Sequence, residues 1–252
     1  MRHAWLTLVA ALSLAAAGPA AAEEEQALPH QHWSFSGLFG TYDQASLRRG
    51  FEVYRQVCSN CHSMRLLAYR DLSALGYSED EIKQIAASIQ IQDGPNDAGD
   101  MFERPGRPYD HFRSPFANDQ AARAANNGAL PPDLSLMAKA RAGGPDYIYA
   151  IQTGYEEPPP GFTLQQGMNY NKAFAGHQIA MPPPLADNTV TFPDGTPATL
   201  QQEAHDVASF LMWAAEPKLD ERKRMGVKVM LFLTVLTLML YAVKRKVWAE
   251  LH

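Results

Sequence analysis

The two cysteines of this 252-residue chain fall in one short run, Cys58-Ser59-Asn60-Cys61-His62. A C-x-x-C-H run is the attachment signature of c-type haem: each thiol adds to a vinyl group, and the histidine offers its imidazole to the iron from the same turn. Two other chemistries use paired cysteines. A structural zinc site wants four protein ligands, and the chain has no second cysteine pair. A thioredoxin-like dithiol belongs in a βαβ setting, whereas the residues around Cys58 have helical spacing. The motif therefore predicts one covalently attached haem c, with His62 as an axial ligand of the iron.

The ends of the chain carry apolar segments of different kinds. Residues 1–22 combine Arg2, an apolar run from Trp5 to Ala17 and the small residues Ala20-Ala21-Ala22. These are the parts of a secretory signal peptide, with cleavage expected after Ala22. Near the other end, Val229 to Val243 is uncharged. Extending it back to Gly226, with Lys228 snorkelling to the interface, brings it close to the roughly 20 residues that span a bilayer. The expected layout is a signal peptide (1–22), an exported haem domain (23–217), a basic juxtamembrane linker (218–225), a transmembrane anchor (226–244) and a short tail (245–252). Lys218, Arg222, Lys223, Arg224 and Lys228 precede the anchor and three basic residues follow it. Charge counting alone would put the preceding side in the cytoplasm. The signal peptide sends that side out, and it outweighs the charge count. The haem domain is then expected in the periplasm of a bacterial inner membrane, with a cytoplasmic C-terminus.

Charge divides along the same line. Residues 23–217 hold 13 basic and 24 acidic residues, a net of −11, whereas residues 218–252 hold 8 basic and 3 acidic. An acidic domain attracts basic partners and repels nucleic acid.

Within the domain, Asp43 begins a helix running to about Cys58, with Leu47, Phe51, Tyr54 and Val57 on one face. Gly50 in mid-helix predicts close approach of another helix. Ser78 and Glu81 form a capping box for a second helix. Residues 92–115 have the composition of a long surface loop. Three short helices follow: Asp119 to Asn127, one capped by Asp133 and ending at Arg141, and one opened by Pro145 and ending at Gly154. Residues 156–185 are rich in Pro and Gly and predict little regular structure. A small hairpin is expected at 189–199, and Thr199 caps a helix to Glu216 whose buried face is Val207, Phe210, Leu211 and Ala214. The fold class is mainly α: a c-type cytochrome domain with long loop insertions around a haem that supplies the apolar centre, plus one C-terminal transmembrane helix.

The sixth iron ligand separates electron transfer from chemistry at an open iron. Met64 lies too close to His62 to reach the opposite face, and Met137 and Met212 sit on core-facing helical positions. Met101 and Met168 remain as loop candidates. Met181 is the first choice, because Pro182-Pro183-Pro184 stiffen the chain after it. His177 is the runner-up. Met181 follows His62 by 119 residues, a wide spacing that implies large insertions.

Longer segments carry a resemblance. Arg48-Arg49-Gly50-Phe51-Glu52-Val53-Tyr54, Val57 to Met64, Gln92-Asp93-Gly94-Pro95-Asn96, Ala121 to Ser135 (reading AARAANNGALPPDLS), Trp213-Ala214-Ala215-Glu216-Pro217 and Arg222 to Gly226 span most of the chain. They resemble the cytochrome c1 family, the haem subunit of the ubiquinol–cytochrome c oxidoreductase (cytochrome bc1) complex. The resemblance implies that the methionine before the proline run, Met181, is the sixth ligand. It makes Arg141 and Tyr147 similar to the family's haem-propionate partners. A carbonyl of Pro131 or Pro132 could accept the other ring proton of His62. Some members carry an extra disulfide; here both cysteines are taken by the haem motif. The implied function is relay of one electron from a Rieske iron–sulfur protein to a soluble, basic cytochrome c, beside cytochrome b in a dimeric membrane complex, with no bond chemistry by this subunit alone. The alternatives weighed are a membrane-anchored haem peroxidase and the cytochrome subunit of a terminal oxidase.

Overall fold

A computed structural model describes residues 28–249. The proposed signal peptide and the last three residues lie outside the described residues.

Helix α1 (Gln44–Gln56) starts where expected: the Asp43 carboxylate accepts from the Ala45 N–H at 3.0 Å. A 3-10 turn at Cys58–Asn60 follows it directly. Another 3-10 segment, Tyr69–Leu75, leads to α2 (Glu79–Ala87), capped reciprocally by Ser78 and Glu81. The 92–115 segment departs from the expected loop. Strands β1 (Gln90–Asp93) and β2 (Phe102–Pro105) pair antiparallel, and Arg104 bridges Asp93 and Asp110. The alternation is too short, and too exposed on both faces, to announce itself as a strand pattern.

Helix α3 (Asp119–Ala125) begins at Asp119 as expected, capped by Asn118, and ends two residues short of Asn127. Helix α4 is a single turn, Met137–Ala140, and Asp133 does not cap it. Helix α5 (Pro145–Thr153) opens on its proline and ends at Gly154. Between α5 and the next helix the chain is mostly irregular. It holds the short pairing of β3 (Asn169–Tyr170) with β4 (Gln178–Ile179) and an isolated antiparallel bridge between Tyr155 and Asn171. The hairpin expected at 189–199 is instead an irregular turn: Gly195 takes a positive φ of 76°, and Asp194 binds Arg49 at 2.8 Å. Helix α6 (Leu200–Ala215) is capped by Thr199. It leads into α7 (Leu219–Trp248), 30 residues or about 45 Å at 1.5 Å per residue.

The core lies where α1 crosses α6. Gly50 makes the crossing possible: a Cβ there would stand 2.0 Å from the Asp206 carbonyl oxygen and 2.7 Å from Phe210 Cβ. Phe51, Tyr54, Phe112 and Phe210 stack around this point at centroid distances of 5.7–6.0 Å. The protein thus has an aromatic core of its own and does not depend on haem alone for an apolar centre. Beside it, buried Asp206 accepts from Ser46 Oγ at 2.6 Å, Gln202 Nε2 at 2.8 Å and Arg49 Nε at 2.6 Å. A buried carboxylate is tolerated because its charge is paired and its lone pairs are occupied.

A strap of residues 30–33 ties the start of the chain to α5. Asp146 accepts from the Trp33 indole at 2.7 Å and from the Gln31 N–H at 3.0 Å, and its other oxygen meets His30 at 2.6 Å. At the foot of α7, Tyr42 donates to the Met212 and Glu216 carbonyls, and Glu216 pairs with Lys139 and Arg222. Residues 219–225, which composition marks as a linker, are helical and continuous with the apolar segment. The haem domain and α7 therefore meet at a fixed elbow.

Candidate haem site

The Cys-x-x-Cys-His turn begins where α1 stops. The Cys61 and His62 N–H groups both donate to the Cys58 carbonyl, at 3.1 and 2.9 Å. Ser59 and Asn60 bond back to carbonyls of the last turn of α1. Neither cysteine is in a disulfide; Cys58 is half-buried and Cys61 exposed. Burial pushes the Cys58 thiol up to about 12.

His62 is held from behind. Its Nδ1 lies 2.8 Å from the Pro132 carbonyl oxygen, which can only accept, so Nδ1 carries the proton and Nε2 keeps its lone pair. Burial lowers the pKa of the ring, with the Pro132 bond opposing the shift. The imidazole is thus neutral near pH 7, the form that binds a metal. The choice between Pro131 and Pro132 is a matter of tertiary geometry, and Pro132 makes the contact.

A carboxylate fixes that contact. Asp133 Oδ2 accepts from Ser63 Oγ at 2.7 Å and from the Arg65 N–H at 2.9 Å, while Oδ1 accepts from the Ser135 N–H at 2.9 Å. The Leu134 N–H donates to the Ser63 carbonyl and the Leu66 N–H to Ser135 Oγ. The 132–135 segment is thereby stitched along residues 62–66. Burial on its own would raise the pKa of Asp133, but these hydrogen bonds outweigh it and hold the carboxyl below its ordinary range. Read as a helix cap, Asp133 is legible in sequence as an N-terminal signal; beside Ser135, its partners Ser63 and Arg65 are 70 and 68 residues away, and no local pattern encodes that.

Met181 belongs to a differently built segment. It is half-buried and follows β4 by two positions. Its carbonyl accepts from the Tyr155 hydroxyl at 3.0 Å and, at a longer 3.4 Å, from Asn169 Nδ2. Asn171, fully buried, ties the loop to α5: its Nδ2 donates to the Ile151 carbonyl at 2.8 Å, its Oδ1 accepts from the Ala173 N–H, and its own N–H donates to the His177 carbonyl. The Lys172 N–H reaches the Gly154 carbonyl at 2.9 Å. Gly154 is required here, because a Cβ would come within 2.6 Å of the Ala150 carbonyl oxygen and 2.8 Å of Asn171 Oδ1.

The other candidates separate by environment. His177 stacks on Tyr170 at 5.6 Å and meets Phe162 edge-on. Met64 is fully buried, Met137 and Met212 pack against the core, and Met101 is exposed. Arg141 is exposed and donates to the Ala140 carbonyl at 3.3 Å. Tyr147 is half-buried in the first turn of α5, beyond the Gly143–Gly144 turn. Asp133, Ser63, Ser135, Tyr155 and Asn171 are the supporting residues that motif reading misses.

Two cysteines on one turn beside a neutral imidazole with a free Nε2 suit covalent attachment of haem. Among the described residues no group of three or more His, Cys, Asp or Glu side chains could hold another metal ion. This places the chain among the c-type cytochromes. Among the described residues one helix, α7, is long and apolar enough to cross a membrane, and its large apolar residues from Met225 onward are mostly exposed.

The comparisons narrow the class. A model of the Cytochrome C1 family matches residues 33–251. The chain is 52% identical over 260 residues to cytochrome c1 of Rhodospirillum rubrum, covering 96% of each. It is 50% identical over 223 residues to a cytochrome c1 haem protein of Arabidopsis thaliana, covering 88% of this chain and 73% of that one. It is also 49% identical over 246 residues to the cytochrome b/c1 of Bradyrhizobium diazoefficiens; that match takes in 89% of this chain but only 36% of the longer relative. The chain belongs to the Cytochrome C1 family. It is a haem-containing electron-transfer subunit of the bc1 complex, carrying one covalent haem c.

Proposed function

We propose that Cys58 and Cys61 carry the haem through thioether bonds, that His62 Nε2 and the Met181 sulfur are its axial ligands, and that the chain passes one electron from the Rieske iron–sulfur protein to a soluble cytochrome c. When bound, haem supplies a one-electron iron couple; the residues of the chain set its position and its surroundings. The observation that carries the reading is the 2.8 Å contact of His62 Nδ1 with the Pro132 carbonyl. It fixes the tautomer and ring orientation, and it makes Nε2 a better donor. Met181 is positioned through its own carbonyl, leaving the thioether free to act as a soft ligand. Arg141 and Tyr147 are assigned to the propionates, as donors flanking one glycine turn.

In the same reading residues 1–22 are cleaved on export, residues 23–217 stand in the periplasm, the segment from 226 to 244 crosses the inner membrane and the tail is cytoplasmic. Cytochrome b is the neighbour in the membrane; the b/c1 relative, with both names in one chain, supports that pairing. The net charge of −11 on residues 23–217 suits a basic electron acceptor.

The oxidised absorption spectrum tests the ligation. A Met-ligated low-spin haem has a weak far-red sulfur–iron band, which a peroxidase with an open iron lacks. Its absence from the wild-type protein would falsify Met181 as ligand. Electron transfer to the soluble carrier should slow as salt screens the attraction; a rate independent of ionic strength would remove the steering claim and leave ligation untouched.

A further inference from the structure

The segment Trp33 to Gly40 buries two aromatic residues and exposes two large apolar ones. Trp33 and Phe35 are in the core, whereas Leu38 is 62% and Phe39 80% exposed. The exposure is imposed by a tight turn. The Ser36 N–H donates to the Trp33 carbonyl, Gly37 takes a φ of 70°, and a Cβ on Gly40 would stand 2.0 Å from the Ser36 carbonyl oxygen. The turn is also fastened to α7. Lys223 Nζ donates to the Phe35 carbonyl and, at 3.0 Å, to the Gly40 carbonyl, closing both arms of the turn onto the foot of that helix. The Tyr42 N–H donates to Asp220 on the same helical turn.

Height along the helix identifies the partner. Lys223 precedes Met225, the first exposed large apolar residue of α7, by two positions, about 3 Å of rise. The turn is therefore fastened within a lysine side chain's reach of the start of the apolar surface of the anchor. Arg222, Arg224 and Lys228 surround the same level, and basic residues beside an exposed aromatic suit the headgroup layer of anionic lipid.

We propose that Leu38 and Phe39 form a second membrane contact, entering the headgroup–acyl boundary of the leaflet on the haem-domain side. This rests on α7 being the membrane anchor. A single spanning helix leaves the domain and helix free to tilt together; a second contact, fixed to the foot of α7 by Lys223, defines a plane and so orients the haem domain over the bilayer.

The test uses the full-length, haem-loaded chain in phosphatidylcholine–phosphatidylglycerol vesicles. Haem attachment consumes both native thiols, so Phe39→Cys introduces a single site for a nitroxide label. Leu38→Cys, which keeps Phe39, is the companion variant, and Leu238→Cys reports on the anchor. Accessibility of each label to oxygen, which partitions into lipid, and to a water-soluble nickel chelate is read by power-saturation electron paramagnetic resonance. The expected result is an oxygen-to-nickel ratio at 38 or 39 raised several-fold above that of a label at exposed Asp97, approaching the ratio at 238. A lipid value at 238 with water values at both 38 and 39 overturns the proposal and leaves the anchor standing. Water values at 238 as well overturn the anchor reading and the proposal with it. Labels that are wet in vesicles but immobilised in the assembled complex assign the turn to a partner subunit, and this too overturns the lipid contact.

Discussion

The two segments proposed to hold the haem are built in different ways. The His62 segment continues a core helix, and a carboxylate stitches it to residues 132–135, so charge-assisted hydrogen bonds set its position. The Met181 segment is a loop of about 30 residues fastened by neutral groups, the Tyr155 hydroxyl and the Asn171 amide. Charge-assisted bonds are roughly twice as strong as neutral ones. The first arrangement resists displacement of a ligand but depends on ionisation. The second does not depend on it, and it yields more readily.

The largest test of this contrast is Met181→Leu. It should abolish the far-red band and lower the midpoint potential by on the order of 100 mV, within the ~0.8 V range that axial ligands command. Spectra and a redox titration of the purified chain measure both. Next comes Asp133→Ala, which leaves Ser63 Oγ and the Arg65 and Ser135 N–H groups without their acceptor. A loss of about 3 kcal/mol in denaturant unfolding is expected, and a loss under 1 kcal/mol would mean that Asp133 does not organise this side. Asn171→Ala should cost about 2 kcal/mol. On warming, the far-red band should fade well before the fold unfolds, because only the Met181 loop loses its tether; simultaneous loss would contradict separate anchoring. Tyr155→Phe removes one bond to the Met181 carbonyl and should cost about 1 kcal/mol.

Acid gives the smallest effect and the sharpest separation. The hydrogen bonds to Asp133 depress its folded pKa in spite of burial. Its contribution is therefore complete above the unfolded value of about 3.9 and is lost as pH falls through the lower folded value. The groups tethering Met181 do not titrate in that window. In Asp133→Asn the acid dependence of stability should be shallower than in the wild type below about pH 4. Parallel curves would show that other carboxylates govern the acid limb.

How much of this was legible in sequence depends on range. The Asp43 and Ser78 caps, the Gly50 close approach and the Pro145–Gly154 helix were readable because each is decided within a few residues. Asp133 was misread as a cap because its partners, Ser63 and Arg65, are distant in sequence. The β1–β2 ribbon reads as loop because its strands are only four residues long and mostly exposed. Asn171 and Tyr155 lie in a Pro/Gly-rich stretch where composition says loop and nothing says which loop residue bears load.

By itself the sequence determined the chemistry and the presence, near the C-terminus, of an apolar segment long enough to cross a membrane. Attaching a haem needs two thiols and an imidazole at fixed local spacing, and crossing a membrane needs a run of apolar residues; both are properties of contiguous chain. Only the tertiary structure decided which proline carbonyl takes the His62 proton, which carboxylate secures it, and that the Phe39 turn is fastened at the foot of α7. Those contacts join residues between 68 and 188 positions apart. Hydrogen bonds at that range are selected by how the α1–α6 core packs, and no local periodicity records it.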